Sequence, residues 1–174
     1  MKMLSLSDNE FSVLDFLVRN FTERLTIRGI AQHLNFSAAG VFNILKKLEK
    51  NEIVIFQKLG TGLFYQINLE NRIARHPAAV VLLHSDEKIS VSTERFRNAK
   101  AAIFDKKTLL LMTDNVTALD IEIPNIKVTI KTEDETAELL KKRDTETIQM
   151  LKKGAVLFGE EHVVNMIKNC MPGL

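Results

Sequence analysis

One cysteine in 174 residues leaves an internal disulfide nothing to join, so Cys170 points to a reducing, cytoplasmic setting. Its place near the C-terminus leaves cross-linking of two chains open. No histidine partner or electropositive setting activates the thiol, which favours an inert role. Three prolines and seven glycines are too few for a collagen-like, linker-rich or low-complexity chain. Long apolar runs are missing as well. The longest, Ala78–Leu83 and Leu109–Met112, fall far short of the roughly 18 residues a membrane span needs and suit short buried elements. Met1-Lys2-Met3-Leu4-Ser5 has no apolar core followed by a small-residue cleavage site, so secretion is not expected. Charge of one sign is lacking too: 24 basic and 22 acidic side chains leave +2, which does not by itself announce a nucleic-acid binder.

The spacings that carry catalysis or metal binding are also scarce. His33, His76, His84 and His162 have no His or Cys three or four residues away, so no zinc site is expected. Gly60-Thr61-Gly62 lacks the Lys-Ser/Thr of a phosphate loop and reads as a hairpin tip. No serine stands in a nucleophile elbow. Glu133-Asp134-Glu135 is acidic, but the first turn of a helix favours acids through its dipole. The expectation is a protein that is not an enzyme, with no cofactor and no metal.

What is present is a folded composition, 45% apolar and 26% charged, long enough for one ordinary domain or two small ones. Ser7-Asp8-Asn9-Glu10 has the form of a capping box. Behind it Phe11, Leu14, Phe16-Leu17 and Phe21 recur at helical spacing to about Asn20. Thr26 can cap a short second helix with Ile27, Ile30, Ala31 and Leu34 on one face. Asn35-Phe36 then breaks the pattern at a residue that tolerates the left-handed conformation. Ser37 caps a third helix with the stripe Val41, Ile44, Leu45, Leu48, and Asn51 suits its end. Two β-branched and aromatic runs, Ile53–Leu59 and Leu63–Leu69, then flank the glycine-permitted tip.

From Asn71 to about Arg97 the pattern is less regular. Pro77 suits a helix's first turn with Ala78–Leu83 continuing it, and the polar stretch Asp86–Arg97 has only Val91 and Phe96 as large anchors. Beyond it, Ala101–Phe104 and Leu109–Thr113 form a tight hairpin about Asp105-Lys106-Lys107, and Ile126–Ile130 alternates as a strand. A second capping box, Thr132–Glu135, opens a helix through Ala137, Leu139 and Leu140. Another helix follows Asp144 and stops at Gly154, with Ile148 and Leu151 inward. Ala155–Phe158 is a strand, Gly159 a turn, and Glu160–Lys168 a last helix. The fold class is α+β: residues 1–70 as a winged helix-turn-helix domain, 71–98 as a helical junction and 99–174 as a small α/β domain.

The segments Ile27–Leu34 and Ser37–Glu49, with Leu45-Lys46-Lys47-Leu48-Glu49-Lys50-Asn51 leading into Ile53-Val54, resemble MarR- and ArsR-type winged-helix regulators. That resemblance implies a transcriptional regulator that inserts its third helix into the major groove of double-stranded DNA. Off the apolar stripe, that helix shows Ala38, Ala39, Gly40, Asn43, Lys46 and Lys47. Asn43 can read an adenine edge, and Ala38 or Ala39 a thymine methyl. Lys46 and Lys47 suit phosphates, Ser37, Thr26 and Arg28 suit the backbone near the helix starts, and Lys58 and Thr61 suit contacts from the wing. Phe42 lies off the stripe and is expected to pack against the wing or a partner chain.

Residues 1–90 carry 11 basic and 9 acidic side chains, with Glu23, Glu49 and Glu52 close to the proposed face. One copy would neutralise few phosphates, so a homodimer on a palindromic site is expected. Its seam would come from the first helix, with Met3 and Leu4 before it, or from Ala78–Leu83. The stretch from Leu109 to Glu161, ending Gly154-Ala155-Val156-Leu157-Phe158-Gly159-Glu160-Glu161, is similar to small nucleotidyltransferase-like domains fused to some archaeal winged-helix proteins. Such enzymes need a Gly-Ser turn and an Asp-x-Asp pair. Lys106 and Thr108 stand where the pair would lie, Lys127 stands near the third acid, and His84-Ser85 is at most a remnant of the turn. The resemblance therefore implies a degenerate, non-catalytic domain used for dimerisation or for sensing a small-molecule or protein effector. Two other readings stand beside it: a winged helix used for protein docking, and a divergent nucleotidyltransferase.

Overall fold

The computed structural model describes residues 6–84, 93–96, 98–116 and 121–171. Helix α1 (Asp8–Arg19) opens on the capping box read from the sequence, with Ser7 Oγ accepting from the Glu10 amide and the Glu10 carboxylate accepting from the Ser7 amide. Its Val13, Leu14, Phe16, Leu17 and Val18 are buried, so the apolar face of α1 is used in the core rather than left for a seam. Met3 and Leu4 lie outside the described residues. Helix α2 (Ile27–Leu34) is capped by Thr26, and Asn35 ends it in the left-handed conformation, φ 55°. Helix α3 (Ala38–Lys50) is capped by Ser37 and buries Val41, Leu45 and Leu48. Glu52, at φ 56°, turns the chain into the antiparallel hairpin β1 (Val54–Leu59) and β2 (Gly62–Ile67). Leu59 pairs with Gly62, so the tip is the two-residue turn Gly60-Thr61. A bridge from Leu25 to Tyr65 ties the hairpin to the segment before α2.

Helix α4 (Arg72–Leu83) begins five residues before Pro77, which therefore sits inside the helix and not in its first turn. The start is set by Asn71, whose Oδ1 accepts from the Ile73 amide at 3.0 Å. Ala74, Ala78, Val81 and Leu82 are buried, while Ile73, Val80 and Leu83 are exposed. Close contacts group the described residues up to Val81 with Met171 in one unit and those from Leu82 to Cys170 in a second.

Val91 lies outside the described residues. A 3-10 turn at Thr93–Phe96 buries Phe96 completely. The second unit is a four-stranded mixed sheet in the order β5-β4-β3-β6. Strands β3 (Ala101–Asp105) and β4 (Thr108–Met112) form the expected hairpin, turning at Lys106, φ 50°. Strand β5 (Lys127–Lys131) runs parallel to β4, and β6 (Ala155–Phe158) antiparallel to β3. Helix α5 (Glu133–Lys141) has its capping box, and α6 (Thr145–Lys153) is capped by Asp144. Thr147, Met150 and Leu151 are buried on α6, with Ile148 only partly so. Helix α7 (Glu160–Cys170) follows Gly159 at φ 74°. One sheet face packs Ala102, Leu109 and Leu111 with Phe96. The molecule is thus α+β, a winged helix-turn-helix unit followed by a small sheet unit. No described helix is long and apolar enough to cross a membrane.

Candidate nucleic-acid interface

The exposed side of α3 follows from its buried side. With Val41, Leu45 and Leu48 inward, the 3.6-residue period turns Ala38, Ala39, Phe42, Asn43 and Lys46 outward. At the helix start the Ser37 Oγ accepts from the Gly40 amide at 3.0 Å, and a Cβ on residue 40 would press on that oxygen at 3.0 Å. Glycine at 40 therefore lets the cap close, a role independent of any ligand. Thr26 Oγ1 accepts from the Gly29 amide at 3.1 Å in the same way. Both hydroxyls keep their own proton, and both stand at helix N-termini, where free amides favour anions. Arg28 is exposed on the first turn of α2.

The lysines divide. Lys46 is exposed, its ammonium 6.0 Å from the centre of the Phe42 ring. Lys47 instead reaches back to α1, where its ammonium lies 2.6 Å from Glu10 Oε1. The Glu10 side chain is only 8% exposed, and its second oxygen accepts from the Ser7 amide at 2.9 Å. Burial pushes the Glu10 carboxyl up, but the hydrogen bonds from Lys47 and Ser7 together outweigh it and hold the group below its ordinary value. Sequence reasoning gave Glu10 its capping role and missed this ion pair, because a contact between helices leaves no local spacing.

On the hairpin Lys58 and the tip residue Thr61 are exposed. Phe56 and Leu63 are exposed beside them, and the Phe56 ring lies 5.9 Å from that of Tyr65. Burial pushes the Tyr65 hydroxyl up, and the Glu49 charge adds to it. Phe42 is 46% exposed, so of the expected covers, the wing or a partner chain, the wing does not bury it. Of the nearby acids, Glu52 accepts from Asn71 Nδ2 at 2.9 Å, drawing it towards the start of α4. The structure thus brings Ala38, Ala39, Asn43 and Lys46 onto one exposed helix surface, with Gly40 half-buried at its start. Lys58 and Thr61 sit on the hairpin, and Lys47 is in an ion pair.

Residues 4–61 match the MarR family. The match covers about a third of the chain, ends at the wing tip and includes the proposed contact residues from Thr26 to Thr61. It supports a MarR-type winged-helix regulator domain in the first unit, similar to DNA-binding transcriptional regulators. Among curated proteins nothing matches the chain.

The second unit lies outside that match. Thr108 and Lys127 are register partners across β4 and β5, and Lys106 is exposed at the hairpin turn. No cluster of three or more His, Cys, Asp or Glu able to hold a metal occurs among the described residues. His84 is exposed and Ser85 lies outside the described residues. His162, one of the histidines without a sequence partner, has its Nδ1 2.6 Å from Glu133 Oε1. Lys100 bridges Glu133 and Asp114 at 3.2 and 2.6 Å, and the hydrogen bonds it donates to Asp114 and Glu133 hold its ammonium above the ordinary lysine value. His33 stacks on Phe16 with ring centres 4.3 Å apart. Burial pushes the Cys170 thiol up, against a smaller opposing pull from Lys141, which suits an unreactive cysteine.

Proposed function

We propose that the chain is a sequence-specific, double-stranded-DNA-binding transcriptional regulator that acts as a homodimer, with a non-catalytic second unit that senses an effector. The observation that carries this reading is the exposed α3 surface of Ala38, Ala39, Asn43 and Lys46 behind a capped N-terminus, within the stretch that matches the MarR family. Asn43 has the donor and acceptor an adenine edge requires, and the small residues before it let the helix approach the bases. Thr26, Arg28 and Ser37 are assigned to the sugar-phosphate backbone at the helix starts, Lys46 to a phosphate, and Lys58 and Thr61 to contacts from the wing.

A dimer answers the shortage of charge, since two copies on half-sites roughly 34 Å apart double the phosphate contacts. The seam we assign is the exposed stripe of α4. Ile73 and Val80, 55% and 57% exposed, are two turns apart, and Leu83 lies one turn further on. Capture from a random duplex library at two salt concentrations tests the reading. An enriched palindrome whose retention falls steeply with salt is expected. Asn43→Ala should relax the preference at one position of each half-site, by about 1–3 kcal/mol on the preferred site. An unchanged ranking of sites in that variant would remove the base contact.

One observation favours a second reading. Phe42, Phe56 and Leu63 are all exposed on α3 and the hairpin, which suits a winged helix that docks a protein. In that case the library yields no retention even at low salt.

A further inference from the structure

The second unit contains a cleft of about 260 Å³ between the outer strand pair of the sheet and helix α6. Its wall is set by strand alternation. Residues 127, 129 and 131 of β5 fall on one face, and the parallel register puts Thr108 beside Lys127 and Leu110 beside Thr129 on that same face. Leu110 and Met150 are buried and form an apolar floor. The polar groups around it are unequally satisfied. Lys127 pairs with Glu146 at 2.8 Å, and Thr147 donates both its amide and its hydroxyl to Asp144. Lys131 is partly buried, yet its ammonium makes no hydrogen bond or ion pair to another described residue, and neither do the hydroxyls of Thr108 and Thr129. Asp144, the acid whose carboxyl Lys131 helps hold low, is already bound to Thr147 at the N-terminus of α6.

We propose that this cleft binds a small organic carboxylate, its charge on Lys131, its oxygens within reach of the Thr108 and Thr129 hydroxyls, and its apolar body on Leu110 and Met150. Convergent polar groups open to solvent above an apolar floor are the arrangement of a ligand site. The charge of the lining favours a monoanion. Lys127 and Lys131 against Glu146 leave one positive charge there, which a monoanion neutralises and a phosphate dianion would overshoot by one. This deepens the effector-sensing part of the proposed function but does not depend on DNA.

The test is an amide NMR titration of the full chain, without DNA, using sodium hexanoate, with hexanamide as the neutral control and sodium chloride to match ionic strength. Saturable shifts centred on Thr108, Thr129, Lys131 and Met150 are expected with hexanoate, with at least tenfold weaker binding of hexanamide. Lys131→Met should abolish saturation and Lys131→Arg should keep it. Thr129→Val, which preserves shape, should weaken binding severalfold, and Lys142→Met, an exposed site paired with Glu138, should change nothing. Equal binding of the amide, unaltered binding in Lys131→Met, or no saturable shifts at these residues would overturn the proposal. Any of those results leaves the DNA reading intact, and a failed DNA selection leaves this site to be judged by its own titration.

Discussion

Glu10 uses its two carboxylate oxygens for different purposes, one closing the cap of α1 and the other holding Lys47 of α3. Removing the charge leaves both donors poorly served, so Glu10→Gln should destabilise the fold by about 1–3 kcal/mol in thermal or denaturant unfolding. The pH dependence has a definite sign. The folded carboxyl lies below its ordinary value of 4.5, so its contribution is complete above that pH and disappears as pH falls through the depressed folded value. Glu10→Gln should therefore flatten the acid limb of the stability curve. The two neighbouring lysines separate by the same logic. Lys46→Ala should weaken binding to all duplexes alike and lower the salt slope by about one. Lys47→Met should instead lower the melting temperature, with a smaller change in that slope. Equal slopes in the two variants would show that Lys47 leaves Glu10 when DNA binds.

At the scale of elements, caps and turns were the most legible features. Ser7, Thr26, Ser37 and Thr132 each cap the helix expected of them, and Asp144 caps the helix expected to follow it, because a cap is written within four residues. Helix α4 was misread at its start. Pro77 looked like a first-turn residue, whereas Asn71 supplies the cap and burial of Ala74 and Ala78 carries the helix through the proline. The direction of β5 was not legible either, since alternation marks a strand but not its sense, and residues 113–126 separate it from β4. Gly159 was read as a turn, and packing makes it strict: at φ 74° a Cβ there would run into the Lys100 carbonyl and Ala101. Gly159→Ala should cost more than about 1 kcal/mol in unfolding experiments, through strain and displacement of β3. The exposed stripe of α4 makes its own prediction. Val80→Glu should raise the dimer dissociation constant at least tenfold in sedimentation while leaving the monomer's melting temperature nearly unchanged. A variant as dimeric as the parent would move the seam elsewhere.

For the whole molecule, the two units differ in how far composition and pattern can lead. The winged unit is written in short-range signals that agree with one another, so its order of elements and its outward α3 surface were both available from the sequence. In the second unit the cleft was invisible, because its walls come from β4, β5 and α6, and Thr108 and Met150 are brought together only by the sheet. The expectation of a degenerate nucleotidyltransferase-like domain pointed to missing acids, while the polar groups without a hydrogen bond or ion pair to another described residue in the cleft are a lysine and two threonines. The charge balance has one further consequence on a genome. A regulator is surrounded by a vast excess of wrong sites, and every loose cation strengthens its hold on all of them equally. On the proposed reading, an ion pair that keeps Lys47 on Glu10 would withhold one such cation, so right and wrong sites would differ more through the contact assigned to Asn43 than through attraction common to both. A buried acid on the first helix would in this way shorten such a regulator's stay on the wrong DNA.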